Sequence, residues 1–443
     1  MAWQDKASDR DWQSKEHLLA MSSPVTPTIA HAKRRPQLLA PFEVRSFRFQ
    51  WPADLLTSWA IEMELLILGW YILVETGSVL LLTLFGALQY VGTLIAPLLG
   101  LAGDRLGHRN VLCAMRAVYA ALASSIAGLA LLGVISPAWV FGIAAVSGLI
   151  RPSDFAMRNA LVAETIPGDR LMAAMGVART TWDSARIVGA LAGAGLFAWL
   201  GMGVAYLVVA LFYTAGFFLT LGVGAPRNAV DRLARVSFWR DLREGMVFVR
   251  DSPQSLAAMW LAFLVNLTAF PLTNGLLPYV ARDIYHIGQT GLGTLIASFA
   301  TGALLGSLLV SMVGRSLRPA RMMLVCAVLW YLLLLIFVQM PSAASGRLML
   351  ALAGFAQSLS MVPMAVMLLH NAGAKFRGRV MGVRMLAIYG LPVGLLAAGA
   401  LIERIGFAAT ATAYCLFGIL ATAAIALRWQ AALWPLDAPA NSR

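Results

Sequence analysis

The 443-residue chain is 60% hydrophobic and only 12% charged, with a mean hydropathy of +0.75. A water-soluble protein of this length needs a much larger charged skin, so composition excludes that class. The net charge of +13 does not mark a nucleic-acid binder either, because its distribution follows the two faces of a membrane.

Residues 1–49 are polar and mixed in charge, with Pro, Ser and Thr and no apolar stretch of signal-peptide type. They read as a disordered cytoplasmic tail, within which Met21 is a plausible start. Twelve apolar runs follow, each near the ~20 residues that a membrane span requires. They fall at about 52–75, 79–103, 109–134, 138–157, 171–200, 203–224, 255–281, 289–314, 320–341, 347–370, 379–402 and 406–429. The expected fold is an all-α membrane protein of twelve transmembrane helices in two six-helix bundles, 50–224 and 254–430. A polar linker, 225–253, separates the bundles, and residues 431–443 form a second cytoplasmic tail. With both termini inside, only Arg282, Arg347 and Arg404 of the 34 basic residues lie near the outer face, which fixes the orientation.

Between the second and third runs lies a short charged loop, where Gly100, Asp104, Arg105, Gly107 and Arg109 are spaced as G-x-x-x-D-R-x-G-x-R. Such charges belong at a membrane surface. The glycines at 100, 103 and 107 suit two helices and a tight turn in close approach. The loop resembles the loop 2–3 signature of the major facilitator superfamily. In order along the chain come Trp70, Thr76-Gly77-Ser78, Arg240 to Arg250, Leu276-Leu277-Pro278, and Arg377 to Gly382. The set resembles the exporter branch that includes macrolide-efflux and enterobactin-exporter proteins. The resemblance covers roughly residues 48–428 and implies a proton-driven carrier. It also implies that Asp104 caps the start of span 11, near Arg377–Val380, as a gate latch, while Arg105 and Arg109 tie the loop to neighbouring helix ends. The arginine often found early in span 4 of that superfamily has no counterpart here before Arg151, which the boundaries above place near the cytoplasmic end. In span 5, Gly189 is followed by Ala190 where the antiporter pattern has proline.

Weak repeats support two parallel halves: Met175-Gly176-Val177 recurs as Met381-Gly382-Val383, and Ala192-Gly193-Ala194 as Ala398-Gly399-Ala400. Loop 8–9, from Gly314 to Arg318, is a worn copy of the loop 2–3 motif. In the linker, Ser237 can cap an amphipathic helix whose apolar face carries Phe238, Leu242, Met246 and Phe248 or Val249. Its expected place is the inner membrane surface.

Charges inside the spans carry the chemistry. Glu62 and Glu64 lie about 15–18 Å into span 1 at 1.5 Å per residue, near the midplane, where an exposed charge costs several kcal/mol. Two positions apart, they point to nearly opposite sides of the helix. The stripe Asp54–Ser58–Glu62 makes Glu62 the first choice for a cavity-facing proton carrier, with Glu64 the fallback and a static ion pair the alternative. Arg179, Asp183 and Arg186 share one face of span 5 and offer partners. Asn266 and Asn274 in span 7 and Gln357 in span 10 are candidate cavity-lining groups. Gly189 and Gly193, and Gly302 and Gly306, are small-residue pairs for helix packing.

Cys113, Cys326 and Cys415 sit singly in different spans, and neither they nor the five histidines form a metal pattern. No phosphate loop or nucleophile–base pair appears, so neither a cofactor nor an enzyme is expected. The reading is a monomeric carrier in the inner membrane, exporting a small amphipathic or drug-like molecule with protons. An uptake carrier for a metabolite, or a membrane scaffold without flux, shares the same pattern.

Overall fold

A computed structural model describes residues 37–224, 238–313 and 318–434. The expected tail over 1–36, the Ser237 cap, most of loop 8–9 and residues 435–443 lie outside the described residues. Among the described residues the chain is helical with no strand. Ten helices are long and apolar enough to cross a membrane, and a bent pair, Val79–Thr93 with Leu98–Leu106, forms an eleventh span. The helix Gly168–Leu221 has 54 residues, about 81 Å at 1.5 Å per residue, far more than a hydrocarbon core of about 30 Å. It breaks at Gly201, whose φ of 76° suits a residue without Cβ, and so supplies spans 5 and 6. Ten helices, the bent pair and this division together make twelve spans.

Span 1, Arg45–Thr76, starts seven residues before the expected 52, and a 3-10 turn, Gln37–Glu43, precedes it. Residues 37–49 are therefore not part of a disordered tail. Phe47 explains the extension: it is buried against Val162, Ile166 and Ala174, while Phe42 packs edge-on against Phe47 and Trp51. Apolar anchors of this kind extend a helix beyond the membrane segment.

Span 2 is discontinuous: Val79–Leu88, a 3-10 turn at Val91–Leu94, then Ala96–Leu106. Its broken middle lies close against span 4, because a Cβ on Gly148 would come within 3.1 Å of the Gln89 backbone. Span 3 is His108–Leu131 and span 4 is Pro137–Thr165. The latter extends well past the expected 157, so Arg151 sits at its midpoint and not near the cytoplasmic end. Phe238–Asp251 forms the linker helix.

Span 7 begins as Pro253–Thr268 and continues through the π-turn Pro271–Gly275. Pro271 and Pro278 cannot donate in an α-ladder, which loosens this stretch. Spans 8 and 9 are Gln289–Val313 and Pro319–Val338. The helix Ala343–Leu386 turns at Gly373 (φ 58°) from span 10 into span 11, which runs on to Ile405, and Phe407–Arg428 is span 12.

The small-residue pairs pack within bundles. Gly189 and Gly193 lie against Trp59, Glu62 and Met63 of span 1, and Gly302 and Gly306 against Ala351 and Phe355 of span 10. Contacts between bundles concentrate at the end opposite the charged loop. There a Cβ on Gly293 of span 8 would sit 3.0 Å from the Ala190 carbonyl, and one on Gly399 of span 11 would sit 3.1 Å from Leu80 Cα. Ser78 donates to Glu403 at 3.0 Å and Arg282 to the Leu73 carbonyl at 2.6 Å. This end is closed.

Candidate functional site: a central cavity between the bundles

A cavity of about 360 Å³ lies between the bundles, walled by spans 1, 2, 4 and 5 on one side and spans 7, 8 and 11 on the other. Its polar groups come mainly from the first bundle: Glu62, Gln89, Tyr90, Arg151 and Arg186. The second bundle contributes Thr273 and Asn274 together with apolar walls, including Pro278, Ile296 and Leu391. Aromatic faces come from Phe85, Phe155 and Trp182.

The two glutamates of span 1 part ways here. Glu62 lines the cavity and makes neither a hydrogen bond nor an ion pair among the described residues. Gly189 permits this: its missing side chain leaves room for Glu62 Cβ, only 2.8 Å from where a Cβ would stand. Glu64, 4% exposed, faces into the first bundle instead. Arg151 donates to it at 2.9 Å, and the Tyr213 hydroxyl at 2.9 Å. The partner of Glu64 is therefore in span 4, not in span 5.

Span 5 divides as well. Arg186 lines the cavity, donates to Asn274 Oδ1 at 3.2 Å across the bundle boundary, and lies 5.8 Å from the centroid of the Phe299 ring. Arg179 pairs with Asp183 at 3.0 Å, outside the cavity lining. Asn274 lines the cavity, whereas Asn266 and Gln357 do not. Asn266 donates to the Ala262 carbonyl of its own helix at 2.8 Å, satisfying its amide locally.

Beside the cavity, on the motif side, the first bundle buries a charge network that the sequence reading missed. Arg116 of span 3 donates to Asp54 and to Thr220 Oγ1. Arg158 of span 4 pairs with Asp154 and donates to Ser58 at 2.8 Å. Gln50 donates to the Arg158 carbonyl at 3.0 Å. With Glu64 and Arg151, three carboxylates balance three guanidinium groups. The available signal was an arginine within an apolar run at 116 and 151, and a third at 158, one residue past the expected end of span 4. Each such residue requires a buried partner.

At the motif end the structure is open. Asp104 is 71% exposed and lies 3.6 Å from His108 of its own loop, not against the start of span 11. Among its neighbours, Arg109 donates to the Leu221 carbonyl at the end of span 6, as a loop tie should; Arg105 is exposed. Gly107 has φ 86° at the reversal between spans 2 and 3, and Gly103 lies close to His108 and Met157. A Cβ on Gly100 would meet nothing within 4 Å, so close packing does not explain that glycine. The linker helix docks on the head of span 11: Phe248 stacks on Phe376 at 5.1 Å, and Arg379 pairs with Glu244 at 2.7 Å. Val249 is buried. Met246 is exposed instead of sharing the docked face.

Twelve spans in two bundles around one cavity define a multi-pass membrane transporter. The profile of the Major Facilitator Superfamily matches residues 53–387 and, in a second alignment, 259–442. The chain belongs to this superfamily. Similar solved structures include a bacterial homologue of the human lysosomal transporter Spinster in an inward-facing, unoccupied conformation, at 13% identity and a TM-score of 0.67 over 89% of this chain and 99% of that one. A POT family transporter in complex with 5-aminolevulinic acid is similar at 13% identity and a TM-score of 0.68, over 87% and 96% of the two chains. The human organic anion transporter MFSD10 (TETRAN) is similar at 18% identity and a TM-score of 0.62, over 88% and 100%. No curated protein sequence matches the chain.

Proposed function

We propose that the chain is a secondary active exporter that moves a small amphipathic or drug-like molecule across the inner membrane by alternating access, coupled to protons. The bundles 50–224 and 254–430 rock about the central cavity, joined by the linker 225–253, and the protein acts as a monomer. Both termini are cytoplasmic. The arginine asymmetry supports this orientation, under which the conformer described here is open inward. The observation that carries the reading is the Glu62 carboxylate in a cavity walled by both bundles, without an ion-pair partner among the described residues. An acidic group at that depth is tolerable when it is paired, faces water or changes protonation.

Arg186 from span 5, Arg151 from span 4 and Tyr90 from span 2 line the same cavity as Glu62. A proton on Glu62 removes its attraction for Arg186 and leaves that guanidinium, held by Asn274, to the substrate, so proton and substrate bias the same rearrangement by differential binding. Asp104 then caps span 11 when the motif end closes, where backbone N–H groups and a positive helix end favour a carboxylate.

In proteoliposomes at saturating substrate, Glu62→Gln is expected to retain downhill exchange but to lose pH-gradient-driven accumulation. Full gradient-driven transport by both Glu62→Gln and Glu64→Gln overturns the coupling. The direction of flux relative to the imposed gradient distinguishes export from uptake.

A further inference from the structure

Among the described residues, Glu62, Arg186 and Gln89 line the central cavity with no opposite charge or matching amide against them, and they differ in kind. Glu62 is an acid with no cation within ion-pair distance among the described residues. Arg186 is a base whose polar partner there is a neutral amide, Asn274, at 3.2 Å. Gln89, at 4% exposure, has neither its amide nitrogen nor its amide oxygen hydrogen-bonded. It stands at the break of span 2, next to the turn of span 4 that presents Arg151. A buried polar group without a partner is costly, so Gln89 favours a ligand that supplies a donor, an acceptor or both.

Elsewhere in the first bundle every buried carboxylate has an arginine against it: Asp54 with Arg116, Glu64 with Arg151, and Asp154 with Arg158. Glu62 is the exception: it shares the cavity with Arg186 yet forms no ion pair with it among the described residues. Opposite charges held apart across a small space complement a molecule that carries both signs. An anion alone leaves Glu62 without a counter-charge unless it takes a proton, and a cation alone leaves Arg186 with only its amide. A molecule with both charges satisfies both groups at once, and its ammonium or carboxylate can also reach the two-sided amide of Gln89. The apolar and aromatic walls from Ile61, Phe85, Phe155, Trp182 and Leu391 set the remainder of the molecule. A volume of about 360 Å³ suits a small organic compound.

We propose that the central cavity recognises a zwitterion with an apolar or aromatic body, its ammonium at Glu62, its carboxylate at Arg186, and Gln89 as the neutral anchor between them. This inference rests on reading the cavity as the transport site.

The test uses the full-length purified protein in detergent and three probes of one shape: tryptophan, N-acetyltryptophan, which is only an anion, and tryptophan amide, which is only a cation. Ligand-induced melting shifts and calorimetric titration read their affinities. Tryptophan is expected to bind at least tenfold more tightly than either derivative. Glu62→Gln should erase its advantage over N-acetyltryptophan, and Arg186→Gln its advantage over tryptophan amide. Arg186→Lys, which keeps the charge, should retain that advantage even if the glutamine variant is unstable. A singly charged probe binding as tightly as tryptophan overturns the zwitterion site, as does the absence of binding by all three at millimolar concentration. Competition by a permanent cation such as tetraphenylphosphonium, without tryptophan binding, overturns the substrate class but leaves the transport reading standing. Loss of flux for every class of compound overturns the transport reading itself.

Discussion

The pair Glu64–Arg151 gives the most direct test of what holds the first bundle together. Arg151→Met removes the 2.9 Å charge-assisted bond and leaves a carboxylate at 4% exposure with only the Tyr213 hydroxyl, also at 2.9 Å. Breaking a buried pair from one side costs about 3–5 kcal/mol. Because Tyr213 still donates to Glu64, the expected loss is at the low end, about 3 kcal/mol. Glu64→Gln keeps one acceptor oxygen where the carboxylate offers one each to Arg151 and Tyr213, and removes the counter-charge, with an expected loss of about 2 kcal/mol. The double variant has no buried charge at either position, and its expected loss is also about 2 kcal/mol. Were the sites independent, the losses would sum to about 5, so the coupling energy is about 3 kcal/mol, at the upper end for contacting residues. Unfolding free energies from SDS titration in mixed micelles, followed by circular dichroism, measure all four corners of the cycle. Additivity within about 0.5 kcal/mol, or no loss in Arg151→Met, would refute the pairing and the assignment of Glu64 to the bundle interior.

Two further outcomes test the gate and the orientation. Asp104→Asn keeps the shape and removes the charge, so membrane insertion should be normal while transport falls on the order of tenfold, corresponding to about 1.4 kcal/mol of lost latch energy; wild-type rates would reduce the motif to a topology signal. In a background without native cysteines, Arg404→Cys should react with an impermeant thiol reagent added to intact cells, whereas Arg243→Cys on the linker helix should not, and the reverse pattern would invert the topology.

The sequence by itself determined the class and the layout of this protein. Twelve apolar runs of span length, a basic loop after the second and a polar divider at mid-chain admit few arrangements, because lipid requires every backbone group to be bonded within its own helix. Only part of the loop was local enough to read: Gly107 turns the chain and Arg109 reaches one neighbouring helix end, whereas Asp104 does not lie against span 11 here. What the sequence left open was which way each charge faces. Glu62 and Glu64 differ by two positions on one helix; the stripe Asp54–Ser58–Glu62 favoured Glu62 for the cavity but could not say what Glu64 meets. Only the tertiary structure placed Glu64 against Arg151 and left Glu62 in the cavity, because the decision lies with spans 4 and 5, far away in the chain.

The same limit explains Asn266 and Gln357. Period and polarity make them candidates, but the rotation of spans 7 and 10 keeps them out of the cavity lining. Boundaries hid Arg151: ending span 4 at 157 put the residue near a surface, whereas the helix to Thr165 puts it at mid-depth. Breaks in spans 2 and 7 were equally invisible to hydropathy, which counts apolar residues and not backbone bonds. Those breaks bring Gln89 and Asn274 to the cavity. Hydrophobic periodicity decides what is buried in lipid; only the packing of one helix on another decides which polar group meets which.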